Sequence, residues 1–436
     1  MLIVSLVVYA IALHAVYFQV ISPRFHYNGQ MYVEPNWAFY IISVGLLCVA
    51  ALLSPQRIVR ATDFVLWVFF YFVVASTALV PHFAVAVSSE SALALSFIAV
   101  LGYVVVARLV GRDSPAARDK RKLWTTWSGL SYSWFMNGLI AVSLLVLTYF
   151  AVTGNLSFNV VSLFDTRSTR FEYRSVIASG SGLLGYLVRF QGYVIGPALL
   201  AVALQRRNWL GVFVGLASQI AIYSLTAYKI VLLSIPVIIL LVLVSGAKRR
   251  LSAPALAATM SIGVVLGGSV DRMLGQPYFS ELFINRLLVI PGFLTGAHIN
   301  IFEAAEKFWW SDSILAGLID QPYTTSSAFL VGFAVTGTFE TTANANIIAS
   351  GFANAGWFGV AVELAVFLVL LIAVKRCSAG VSAGLVFSVL LLPAVALANS
   401  GIFAAFLTNG FLYALLVLAL APRVSEENDS DVATEP

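Results

Sequence analysis

Residues 275–356 read GQPYFSELFINRLLVIPGFLTGAHINIFEAAEKFWWSDSILAGLIDQPYTTSSAFLVGFAVTGTFETTANANIIASGFANAG. Apolar runs of membrane length precede this stretch and follow it with only short breaks. The stretch leaves that pattern without becoming an ordinary soluble domain. Arg286, His298, Glu303, Glu306, Asp312, Asp320 and Glu340 alternate in it with Trp, Phe and Pro. Ionisable groups mixed with aromatic residues suit the water–lipid boundary, whereas a solvated tether would be more polar. The stretch predicts one large loop, and that loop is the first candidate for the working face.

The composition around it is that of a membrane protein. The 436 residues are 60% hydrophobic and 10% charged, against about 25% charged in soluble domains. Runs of about 17–25 apolar residues can cross a bilayer as helices. Twelve such runs are predicted: 1–22, 36–54, 64–82, 91–110, 134–153, 183–204, 209–226, 230–246, 252–270, 357–374, 381–398 and 402–421. The first lacks a basic leader and a small-residue cleavage site, so it is expected to be retained. The fold class is therefore all-α and polytopic. Residues 1–422 form a single transmembrane domain, with the 275–356 loop between spans nine and ten. Residues 423–436 form an acidic tail with the composition of disorder.

Basic residues favour cytoplasmic loops. On this map the proposed inner segments hold sixteen of the 25 basic residues, among them Arg57, Arg60, Arg112, Arg206, Lys248 and Lys375. Both termini are then expected in the cytoplasm, and the 155–182 and 275–356 loops outside it. The two cysteines, Cys48 and Cys377, imply neither a disulfide nor a thiolate metal site. No nucleotide-binding loop, zinc-binding helix motif or nucleophile elbow is present, and no nucleic-acid partner is expected.

Arg167, Arg170 and Arg174, in SLFDTRSTRFEYRSVIASGSG, are spaced three and four apart and share a face on a helix. Guanidinium groups so placed can grip phosphate oxygens, or form a solvated basic face. Arg189 sits in an apolar span, where charge is unfavourable by roughly 2.5–3.5 kcal/mol at the centre. It either faces an inner cavity or snorkels outward. Lys229 lies at the tip of a tight hairpin, and Arg286 begins an apolar run. Asp312, Glu303 and His298 are the acid–base candidates, in that order. Trp309 and Trp310 can stack on sugar or anchor at the interface. Asn344 and Asn346 can bind sugar hydroxyls or cap a helix. Glu363 is a further charge buried in a span.

The chain resembles the bacterial oligosaccharide repeat-unit polymerases of the Wzy type. The resemblance rests on NRLLVIPG, FWWSDSIL and NANIIASGFANAGWFG, on the arginine-bearing FDTRSTRFEYR loop, and on the Ala227-Tyr228-Lys229 turn. It covers about residues 160–360 and the topology of the whole chain. Family members often show Gly-Ser-Lys at that turn, so only Lys229 carries over there. The resemblance implies a fold like the GT-C glycosyltransferases, in the bacterial inner membrane. It implies transfer of a growing glycan from undecaprenyl pyrophosphate to the non-reducing end of a fresh lipid-linked repeat unit, on the periplasmic side. No metal or cofactor is implied. The partners are lipid-linked oligosaccharide, membrane lipid, and a chain-length regulator and flippase of the same pathway. Arg167, Arg170, Arg174, Arg189, Lys229 and Arg286 would hold the pyrophosphate. Trp309, Trp310, Asn344 and Asn346 would hold the glycan. An O-antigen ligase shares topology and donor. A transporter or flippase of lipid-linked glycans predicts short loops and internal repeats; only Arg189 and Glu363 favour it. A structural member of an assembly complex would need no arginine constellation.

Overall fold

The structure is a computed structural model. It describes residues 1–84, 87–111, 129–155, 158, 162–163, 169–170, 172–173, 182–246 and 251–423. Arg167, Arg174 and the acidic tail beyond residue 423 lie outside the described residues.

The chain folds as an all-α polytopic membrane protein. The longer helices up to the expected loop are α1 (Leu2–Asn28), α2 (Trp37–Leu53), α3 (Ala61–His82), α4 (Ser89–Gly111), α5 (Tyr132–Val152), α6 (Leu184–Gln205), α7 (Trp209–Thr226), α8 (Lys229–Ser245) and α9 (Ala253–Leu274). After them come α10 (Ser280–Phe302), α11 (Ser327–Thr336), α12 (Ile347–Cys377), α13 (Ala383–Asn399), α14 (Ile402–Leu407) and α15 (Phe411–Leu420). Among the described residues one antiparallel pair of strands, β1 (Arg57–Ile58) on β2 (Leu251–Ser252), joins two distant segments of the chain. Short polar residues start the helices. The Asn36 side chain accepts from Ala38 and Phe39 at α2, and Asn208 accepts from Gly211 at α7, satisfying amides that lack a helical partner.

Among the described residues, nine helices are long and apolar enough to cross a membrane. Eight coincide with predicted spans. The other four predicted spans hold shorter helices, α2, α8, α13 and the broken α14–α15. A helix of 17 residues such as α2 rises about 26 Å, short of a hydrocarbon core of about 30 Å.

The ninth long helix corrects the loop expected at 275–356. Its first third is α10, a helix of 23 residues, largely buried. Its polar partners all lie at one end of the bundle. Phe279 and Ser280 donate to Asp271 near the end of α9. Glu281 pairs with Lys229 at the start of α8. Asn285 exchanges bonds with Gln30 just past α1. The Gly292 amide donates to Ser76 in the last two turns of α3, where a side chain at Gly292 would collide with the Ser76 carbonyl. These hydrogen bonds place α10 toward that end of the bundle. We call this the Lys229 end, and the opposite one the Lys375 end.

The start of α12 is also folded over. Ala355 and Gly356 break it, and Gly356 has φ +62°. The piece before the break packs back on the piece after it, with Gly351 against Gly359 and Val360. A continuous apolar core fills the bundle. A smaller cluster of Val146, Phe150, Tyr173, Leu184, Val188, Ile222 and Val231 lies apart from it. Tyr193 and Tyr228 pack on that smaller cluster.

Candidate functional site

Two groups of functional side chains gather at the Lys229 end. The first is cationic and is built on the smaller core cluster. Within α6, Gln191–Ile195 is wound as a wider π-helical turn; such turns recur at functional sites. It carries Tyr193, whose hydroxyl lies in electrostatic range of Arg189, Arg286 and Arg170. Arg286 comes from a second π-helical stretch, Ser280–Val289, and is exposed. Arg170 donates from Nε and Nη2 to the Ala227 carbonyl at 3.2 and 3.1 Å. That carbonyl belongs to a non-glycine residue held at φ +52°. Arg170 thus fixes the turn that presents Lys229, and Lys229 Nζ meets Glu281 Oε1 at 2.7 Å. Tyr173 and Tyr228 stack edge to face at 5.7 Å between centroids. Burial holds the Tyr173 phenol well above its usual pKa; Tyr228 adds to this and Arg189 opposes it. Arg189 makes no hydrogen bond or ion pair among the described residues.

The second group surrounds two tryptophans. Trp309 and Trp310 have φ of +50° and +61°, left-handed backbone that is unfavourable for such residues by of order 1–3 kcal/mol each. The folded-over start of α12 holds them there. Phe308 and Trp309 amides donate to the carbonyls of Ala353 and Asn354, and the Trp310 amide to Asn354 Oδ1 at 2.7 Å. The result is an open Trp309, 51% exposed, and a Trp310 turned inward. Trp310 Nε1 donates to Glu363 Oε1 at 3.3 Å, beside Ser350 Oγ at 2.7 Å. Glu363 Oε2 accepts from the Ile402 amide at 3.0 Å. Glu363 therefore joins α12, α14 and the tryptophan turn.

The predicted residues divide between these groups. Arg170, Arg189, Lys229 and Arg286 come together. Trp309 and Trp310 form the other group. Asp312 lies near them, and its Oδ2 accepts from the Ser327 amide and hydroxyl at 3.0 and 2.7 Å, closing the start of α11. His298 is buried and its Nδ1 bonds to the Leu294 carbonyl at 2.8 Å. Glu303 is exposed, and Lys307 next to it lies over the Phe352 ring at 5.1 Å. Burial pulls the Lys307 ammonium below the ordinary lysine value, and Glu303 works against this. Asn344 is exposed. Asn346 is buried in the fold: it caps α12 and donates to Thr295 Oγ1 at 2.8 Å and the Pro291 carbonyl at 3.2 Å.

Arg286 lies in the first third of α10 and Glu303 just past its last residue, roughly 25 Å on by helical rise. Glu303 is therefore held away from Arg286. The shorter route between the groups is α14: its first amide meets Glu363, and Gly410 just beyond it packs on Tyr193 and Val194. That is roughly 12 Å of helical rise, a span for a few sugar rings. Sequence reasoning missed Glu281, the carboxylate inside the cation group. The signal available was its place five residues before Arg286 in FSELFINR.

Comparison with protein-family models, with curated proteins and with solved structures gives no match for this chain.

Proposed function

We propose that the protein is a polymerase of lipid-linked oligosaccharide repeat units. It acts at the periplasmic face of a bacterial inner membrane, crosses that membrane twelve times, and carries the Lys229 end outward. The observation that carries the reading is the convergence of Arg170, Arg189 and Arg286 on Tyr193, next to Lys229. Arg170 precedes α6, and the other three come from α6, α8 and α10; in the proposed orientation this gathers positive charge on the side where basic residues are otherwise depleted.

In the proposed step an acceptor hydroxyl oxygen attacks the anomeric carbon of the donor glycan. The bond from that carbon to the pyrophosphate oxygen breaks, and its electron pair leaves with the pyrophosphate. The cations stabilise the charge that grows there, in general the largest single contribution to such catalysis. The hydroxyl proton passes to a carboxylate, and Glu281 is the one inside the group. Trp309 offers a sugar-stacking face on the far side of α14. The test is elongation by the purified protein given only undecaprenyl-pyrophosphate-linked repeat units. A ladder of longer lipid-linked glycans is expected. Failure of a well-folded preparation to lengthen any such substrate would sink the proposal.

A further inference from the structure

Helices α1 and α9 pack closely at Val16 and Gly268, and a groove of about 330 Å³ opens beside that contact. Its walls include Val8, Ile11, Ala15 and Val265, and three of these, Val8, Ile11 and Val265, are exposed. The volume is at the small end of ligand cavities, room for part of one chain rather than for a two-chain lipid body. At the Lys229 end the groove becomes polar at Gln19 and Arg272.

The charge at that end is uncompensated. Among the described residues Arg272 Nη1 donates only to the neutral Gln19 amide oxygen, at 2.9 Å. Arg24 donates to the carbonyl of Gly275, three residues beyond Arg272. The adjoining Asp271 is buried and accepts the Phe279 and Ser280 amides. Neither arginine has an ion pair among the described residues. An apolar slot ending in the Arg272 guanidinium, with Arg24 bonded to the turn just beyond it, complements a single hydrocarbon chain with a phosphate head.

We infer that this groove seats the isoprenoid chain of a lipid-linked substrate, with its phosphate held by Arg272 and Arg24. The identity of the lipid rests on the polymerase reading; the groove and its charge do not. The turn at 275–279 leads from Arg272 to Glu281 and Lys229, so a lipid seated there has its head beside the cation group.

The test is photo-crosslinking with the full-length protein in phospholipid vesicles. Ile11→p-benzoylphenylalanine is irradiated with and without an undecaprenyl-pyrophosphate-linked oligosaccharide. Adducts carrying the isoprenoid chain are expected. Their yield should fall about tenfold in the Arg24→Gln, Arg272→Gln double variant, the size of one decade in affinity. Ala15→Trp, which fills the slot, should raise KM for the lipid-linked substrate roughly tenfold and leave kcat unchanged. Phospholipid adducts alone, in a preparation that lengthens glycan, would overturn the groove assignment while leaving the polymerase standing. An unchanged KM in Ala15→Trp would also overturn it. Isoprenoid adducts in a preparation that lengthens nothing would uphold the groove and remove the polymerase.

Discussion

Arg189→Ala is the substitution that bears most directly on the proposed chemistry. Arg189 is half-buried in α6 and has no hydrogen bond or ion pair among the described residues. Its removal leaves no protein group orphaned, so folding should change little. A pyrophosphate oxygen about 4 Å from one such charge interacts with it by about 4 kcal/mol at an effective dielectric near 20. Part of that attraction is present before reaction, because the pyrophosphate is already charged. Only the charge gained by the leaving oxygen lowers the barrier. Removing one preorganised donor typically raises it by about 2.7–4 kcal/mol, a loss in kcat of about 10²–10³. Arg189→Lys should recover part of this, as a point charge without the planar fork. Arg170→Ala is a less clean probe, since its guanidinium also holds the Ala227 carbonyl. The assay is single-substrate elongation by purified protein, with thermal unfolding in detergent as the folding control. A variant that melts like the parent and elongates within about threefold of it refutes the assigned role.

Asn346→Ala should lower stability by about 2–3 kcal/mol, from a lost helix cap and unmet buried partners; Asn344→Ala should leave the melting temperature unchanged. Lys307 should acylate with a midpoint below that of an ordinary lysine, because burial favours its neutral amine; pH-resolved labelling with mass spectrometry checks this. The sign for stability follows: folding is penalised below the depressed pKa, and the penalty fades as pH rises from there toward the ordinary lysine value. Lys307→Met should remove that pH dependence, and a parent-like slope in this variant would contradict it. Cysteine at Glu303 should react with an impermeant thiol reagent on intact cells, and cysteine at Arg207 only after permeabilisation; the reverse pattern would invert the proposed orientation. Elongation should continue in excess chelator, and activity restored by one added divalent ion would count against phosphate binding by arginine alone.

The membrane class and most helix positions were legible because long apolar runs carry them. The true nature of residues 280–302 was not. SELFINRLLVIPGFLTGAHINIF interleaves Glu281, Asn285, Arg286 and His298 with apolar residues, and a composition so mixed reads as an interfacial loop. Its partners are single polar side chains from distant helices, such as Asp271, Gln30 and Ser76, which no local pattern announces. The convergence of Arg170, Arg189, Lys229 and Arg286 was anticipated from their shared level along the chain. The separation of Arg286 from Glu303 was not, because the length of α10 sets it. Asn346 has the residue type of either a sugar ligand or a cap, and only its buried neighbours decide for the cap.

The π-helical turns bear on how this chain can vary. A wider turn accommodates one residue more than an α-helix over the same rise, so it acts as a tolerated insertion inside a span. Deleting one residue from Gln191–Ile195 would restore regular α-winding with the helix on either side kept in phase, whereas a deletion in regular α-helical turns would rotate one side by about 100° relative to the other. Arg189 and the Pro197–Gln205 half of α6 would keep their present neighbours, and the residues of the wide turn, Tyr193 among them, would be the ones to move. Relatives of this chain can therefore lose that one residue and keep the phase of Arg189, and their alignments should place single-residue gaps in α6 between Arg189 and Gly196 rather than in its regular turns.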